Sequence, residues 1–257
     1  MFDFLWRSDK CPVEETRRQW LDRSFAWLLN AFELDHIRNK KILVPHESTF
    51  PFQFVGDEEN AYEVIDLIAP QMDLDPEDID IEFYDEGPTE IATGGAFQPR
   101  MFLKQVEGVK YSAGHYLGKN DAGKYQLGIE KKHLKKPEQM VATLAHELAH
   151  VKLLGEERIK KNNESLTDML TVVFGLGIFG ANCAFQYRSS FDSWGYSKLG
   201  YLRQMDWGYI LALLAHIREE NTPDWINFLT LNVKHDFLQS ERFIIKNREK
   251  IFSKPEV

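Results

Sequence analysis

The pentapeptide His146-Glu147-Leu148-Ala149-His150 lies in a run with helical apolar spacing, and no other feature of the sequence is as constraining. Residues four apart on a helix share a face, so both imidazoles can point at one metal ion. Glu147 sits one step round, where a carboxylate can hold and deprotonate a metal-bound water. A catalytic metal of this type needs three protein ligands and one open position. A further ligand must therefore come from another segment.

Asn163-Glu164-Ser165-Leu166-Thr167-Asp168 opens a second helical run and offers one. Glu164 can be the third ligand. Asp168, one turn later on the same face, can accept the free ring N–H of a ligand histidine and so fix its tautomer. In these two motifs the chain resembles the glutamate zincins (gluzincins), metallopeptidases whose HExxH helix is followed by a helix bearing a ligand Glu. The thermolysin-like branch writes the second motif N-E-x-x-S-D, where this chain has N-E-S-L-T-D. The resemblance covers roughly residues 111–185. It implies one zinc per chain held by His146, His150 and Glu164, with Glu147 as general base and Asp168 as partner of a ligand histidine.

The spacing departs from that family. Only thirteen residues, 151–163, separate His150 from Glu164, fewer than in thermolysin-like enzymes. The first helix is expected to run to Leu154 and end at Gly155, with 156–162 turning the chain back; helices joined this way can still face each other. Glu156 is a rival ligand, because metzincins place their third ligand six residues beyond the second histidine. Those enzymes also have a glycine where this chain has Leu153, and neither their third histidine nor their Met-turn is evident. The plainest alternative is a helix pair whose His and Glu side chains only hydrogen-bond.

The chain has 257 residues, 43% of them hydrophobic, enough for a sizeable core and one or two domains. Cys11 and Cys183 form no CxxC pair and suggest neither a disulfide framework nor a thiolate zinc site. The first ten residues lack a basic stretch followed by an apolar one, so a cytoplasmic setting is the default expectation. Met169–Ala181 is apolar but too short for a span of about twenty residues, and reads as a buried helix. Its Gly175-Leu176-Gly177-Ile178-Phe179-Gly180 matches GxGxxG weakly, since a dinucleotide fingerprint follows a strand and opens a helix. Between Ile42 and Pro99 there are fifteen Asp and Glu and no Lys or Arg, a charge of −15 within a total of −9. This argues against nucleic-acid binding. It leaves a solvated acidic surface, or docking to a basic protein partner or to the basic remainder of the molecule. Asp73–Asp80 lacks the central glycine and twelfth-position acid of a calcium loop. It fits a helix entry with Asp75 as N-cap and Pro76 at the first helical position.

The fold class expected is α+β: a small acidic module over residues 1–95, then a mainly helical zincin-like domain over 96–257 with a β-hairpin. Helices are expected over Pro12–Leu34, Glu58–Ala69, Pro137–Leu154, Asn163–Asn182, Arg203–Glu220 and Pro223–Val233, followed by a charged helical tail. Strands are expected over Lys41–Pro45 and Ile79–Tyr84. A linker is expected at Gly87–Gly95, and a hairpin from Tyr111–Leu117 and Tyr125–Glu130. In the zincins an edge strand beside the cleft pairs with extended substrate. Tyr125–Glu130 is the candidate here, with a plain structural strand as the alternative.

The function these readings converge on is zinc-dependent hydrolysis of a peptide or protein substrate. Glu147 would take the water's proton and deliver it to the leaving amine. Tyr201, Arg203, Tyr209 and His216 are the candidates to stabilise the oxyanion. Tyr209 and His216, seven apart and so on one helix face, are the favoured pair. Two alternatives stand beside it: a zinc-binding scaffold or sensor without turnover, and a zinc hydrolase of a non-peptide amide.

Overall fold

The computed structural model describes residues 10–85, 114–189, 201–248 and 251. The linker expected at Gly87–Gly95 and the start of the hairpin, 111–113, lie outside them. The described residues contain eight α-helices and one three-stranded sheet, an α+β fold.

Helix α1 (Glu15–Ala31) begins where the Glu14 side chain accepts from the Thr16 and Arg17 amides, satisfying donors that a first turn leaves open. It buries Leu21, Phe25, Leu28 and Leu29. The run expected to continue to Leu34 breaks at Phe32–Glu33, where Glu33 has φ 62°, before α2 (Leu34–Asn39). Residues 41–45, expected as a strand, pair with no strand. The Leu43 amide donates instead to the Gly175 carbonyl, at 2.9 Å. Helix α3 (Glu58–Gln71) is capped by Asp57, and Asp75 caps the single 3-10 turn Pro76–Asp78 as its sequence suggests.

Strand β1 (Ile79–Tyr84) pairs in parallel with β3 (Tyr125–Glu130), which pairs antiparallel with β2 (Gly114–Lys119). The order β1-β3-β2 makes β3 the central strand, which corrects the expectation that Tyr125–Glu130 is an edge. Among the described residues β1 and β2 are the two edges, and the register of β2 is bulged between Tyr116 and Gly118. Strand β1, before residue 95, and strands β2 and β3, after it, lie in one sheet. The buried core is likewise continuous from Val13 to Ile251.

Helix α4 (Pro137–His150) is buried on nearly every side, packing on α3, on β2 and β3, on α5 (Glu164–Val173) and on α6 (Gly177–Ser189). The second motif's helix, expected to run unbroken to Asn182, stops at Val173. Gly175 has φ +78°, and a Cβ there would meet the Lys41 carbonyl at 2.2 Å. A left-handed turn under a packed backbone requires glycine, so the GxGxxG match is a helix break. No helix among the described residues is long and apolar enough to cross a membrane. Helix α7 (Gln204–Ile217) packs on α5, on α6 and on α8 (Leu231–Lys246). The expected helix over Pro223–Val233 is instead a 3-10 turn, Asp224–Phe228, followed by the start of α8.

Candidate metal centre

On α4, the i, i+4 spacing brings the rings of His146 and His150 to a centroid separation of 4.7 Å, with their Nε2 atoms 3.1 Å apart. Helix α4 gives way after His150 to one π-helical turn, Val151–Gly155, and the backbone reverses through 156–163. The Asn163 side chain accepts from the Leu166 amide and starts α5. The short connection thus suffices to bring Glu164 opposite the histidines. Its Oε2 lies 3.1 Å from His146 Nε2 and 3.3 Å from His150 Nε2, while Asn162 donates to its Oε1 at 2.8 Å. His146, Glu147 and His150 form a group whose ligand-type atoms lie within 4.8 Å of one another, able to hold a metal ion.

Asp168 lies behind the pair and is buried. Its Oδ1 is 2.8 Å from His146 Nδ1, and its Oδ2 accepts the backbone N–H groups of Tyr201 at 2.7 Å and Leu202 at 3.2 Å. His150 Nδ1 faces the Thr167 hydroxyl at a longer 3.4 Å, and that hydroxyl donates to the Asn163 carbonyl. Each ring therefore has an acceptor on Nδ1, which leaves both Nε2 atoms aimed at one point. Burial opposes a charge on His146, but the hydrogen bonds with Asp168 and Glu164 more than offset it and raise its pKa well above 6.5. Burial also opposes the charge on Glu164, and the two histidines outweigh it, holding the carboxyl well below its ordinary range.

Glu147 is 2% exposed, and its Oε2 has no hydrogen-bond partner among the described residues. A buried carboxylate oxygen without a donor carries a desolvation cost that a donor at this point would relieve. Burial raises the pKa of Glu147, and the neighbouring histidines partly counteract that. The edge strand closes over this carboxylate: the Tyr116 backbone N–H donates to it, and a Cβ on Gly114 would fall 2.7 Å from Oε1. The strand beside the cluster is thus β2, not Tyr125–Glu130.

The favoured oxyanion pair is not at the cluster. The Tyr209 hydroxyl donates to Asp22 on α1 at 2.7 Å, inside the core. His216 is near the far end of α7, fourteen residues beyond Leu202, or about 20 Å along a helix. Among the described residues, Tyr201 does reach the cluster. Its ring lies over His146 at 6.3 Å and 21°, and it remains 40% exposed. Burial and then the charges of Glu164, Asp168 and Glu147 push its phenol up to about 12. Glu156, the rival ligand, is engaged by Lys152 and by Arg158, the latter at 2.8 Å.

Thr167, Asn162 and the pairing of Asp168 with two distant amides went unread in the sequence. Thr167 had a signal, since it precedes Asp168 within the motif. The other two depend on the turn and on a contact spanning more than thirty residues. Compared with protein-family models, curated proteins and solved structures, the sequence and its fold match none of them.

Proposed function

We propose that the protein is a zinc-dependent peptidase of gluzincin type, with His146, His150 and Glu164 as ligands and Glu147 as general base. The observation that carries this reading is the convergence of two Nε2 atoms and one carboxylate oxygen at mutual separations of 3.1–3.3 Å. Ligand atoms bound tetrahedrally at 2.0–2.1 Å stand about 3.3 Å from one another. Two imidazole nitrogens facing each other at 3.1 Å need a shared cation or proton between them, and with the ring N–H groups directed at Asp168 and Thr167 both Nε2 lone pairs are available to a metal. The unpaired Oε2 of Glu147 lies next to that point.

When bound, zinc would supply a Lewis acid and an acidified water. The rest is the protein's own chemistry. Glu147, buried and short of donors, accepts the water's proton and passes it to the departing amine nitrogen. Burial raises its pKa, the direction that suits a base which must hold a proton and return it. Asp168 holds His146 in the tautomer that presents Nε2. Tyr201, with an exposed ring edge and an undissociated hydroxyl, is the donor available to a developing oxyanion. Strand β2, an edge of the sheet among the described residues and next to Glu147, is the strand along which an extended substrate would lie.

The test combines metal analysis with cleavage of unstructured peptides by untagged protein. About one zinc per protein molecule, cleavage inhibited by a hydroxamate, and a Glu147→Gln variant that keeps zinc but is inactive would support the reading. Zinc bound without cleavage across a broad peptide library would favour the scaffold reading, and failure of added zinc to bind would end both.

A further inference from the structure

Next to the cluster, two arginines share one carboxylate. Arg17 Nη2 lies 3.1 Å from Asp206 Oδ2, and Arg203 Nη2 lies 3.1 Å from Asp206 Oδ1. Both Nε–H groups also donate to Oδ2, at 3.2 and 3.3 Å. Asp206 is fully buried, whereas the Arg17 and Arg203 side chains remain 26% and 43% exposed. A second Arg17 contact reaches Ser165 Oγ at 3.5 Å, and its guanidinium lies 4.4 Å over the Trp20 ring. The Nη1 atoms of both arginines have no partner among the described residues. Glu14, whose charge also acts on Arg203, is fully exposed and committed to the first amides of α1. Solvent screens a carboxylate in that position.

Both guanidiniums hang on neighbours of the cluster. Ser165 follows the candidate ligand Glu164. Arg203 stands two residues after Tyr201, which covers His146, and one after Leu202, whose amide binds Asp168. Through Ser165, Tyr201 and Leu202, Arg17 and Arg203 thus belong to the surroundings of the cluster. One carboxylate does not neutralise two guanidiniums, and the planar fork of arginine matches a second carboxylate in bidentate fashion. In a protein of net charge −9, an acidic ligand needs a local cationic site to overcome the overall repulsion.

We infer that Arg17 and Arg203 form a carboxylate-binding subsite beside the cluster, selecting peptides that carry a carboxylate near the scissile bond. This inference rests on the peptidase reading. The carboxylate could be the C-terminus of a peptide or an acidic side chain, and the test separates the two.

Three hexapeptides built from Gly, Ala and Phe and carrying an uncharged dansyl label serve as probes: one with a free C-terminus, one amidated, and one amidated with a penultimate Glu. Binding to zinc-loaded Glu147→Gln protein is read by fluorescence anisotropy, and cleavage is measured with wild type. The free-acid or the Glu peptide should bind at least tenfold tighter than the neutral amide, and whichever does identifies the source. In the Glu147→Gln background, adding Arg203→Gln should erase the difference, while Arg203→Lys should retain part of it, with zinc content and thermal melting checked for each. Equal binding of all three peptides, binding of none, or a preference that survives Arg203→Gln overturns the subsite. Carboxylate-dependent binding without any cleavage by wild type would overturn only the peptidase reading. Cleavage of all three with equal kcat/KM would overturn only the subsite.

Discussion

Replacing Asp168 with Asn preserves the shape of a buried side chain while exchanging one acceptor for a donor. Asp168 Oδ2 receives two backbone amides, from Tyr201 at 2.7 Å and Leu202 at 3.2 Å, and Oδ1 receives His146 Nδ1–H at 2.8 Å. The asparagine can face its NH2 towards the two amides or towards the histidine. The first choice leaves two buried N–H groups without an acceptor, at about 1–3 kcal/mol each. The second keeps both amides paired and is preferred. His146 Nδ1 must then accept, which moves the ring proton to Nε2, the atom that faces Glu164 at 3.1 Å. A metal must displace that tautomer and break the new hydrogen bond, at about 1–3 kcal/mol. Since about 1.4 kcal/mol is a factor of ten, Asp168→Asn should weaken zinc binding roughly 10–100-fold while leaving the protein folded. Competition with a chromophoric chelator measures the affinity, and nitrogen shifts of the imidazole report the tautomer. Zinc affinity within about twofold of wild type in a folded variant would refute the reasoning. So would a folded variant with weakened zinc binding but an unchanged His146 tautomer.

Glu164→Gln should reduce zinc affinity sharply and Glu156→Gln should not, because Glu156 is held by Lys152 and Arg158; the reverse in a metal titration would move the third ligand. Gly114→Ala places a Cβ 2.7 Å from Glu147 Oε1. It should retain zinc but lower peptide turnover about 100-fold, the cost of misplacing a reacting group by about 1 Å, and unchanged turnover would mean the strand yields. Without metal, the raised pKa of His146 contributes stability that is complete below 6.5 and lost as pH rises through its folded value. Zinc requires the neutral ring, so its affinity should climb up to tenfold per pH unit from 6.5 upward; a flat profile in isothermal titrations from pH 6.5 to 8 would rule this out.

What was legible in the sequence was whatever depended on local spacing. Four residues place His146 and His150 on one face, and four more place Glu164 and Asp168 together on α5. The cap Asp75 sits where its side chain accepts from the Glu77 amide. The helix break at Gly175 is hidden in the sequence because helical periodicity continues on both sides of it. Only the approach of the Lys41 carbonyl shows why the backbone turns there. The hairpin was readable too, but which of its strands is the edge was not. That is settled by β1, which joins β3 in parallel from more than forty residues away.

The two tyrosines show the same division within the site. Tyr209 and His216 share a helical spacing, and spacing alone favoured them. Yet on a helix packed against both α1 and α5, a shared face can as well point into the core, where Asp22 satisfies the Tyr209 hydroxyl. Tyr201 precedes α7 and has no periodic partner. It is brought to the cluster by one carboxylate with two tasks, binding the His146 ring through one oxygen and the Tyr201 and Leu202 amides through the other. The group that sets the tautomer of a candidate ligand thereby also sets the position of the candidate oxyanion donor. Any perturbation of Asp168 that shifts its carboxylate should move both at once. A variant that separated them, restoring the His146 tautomer while leaving Tyr201 displaced, would show how much of turnover belongs to each.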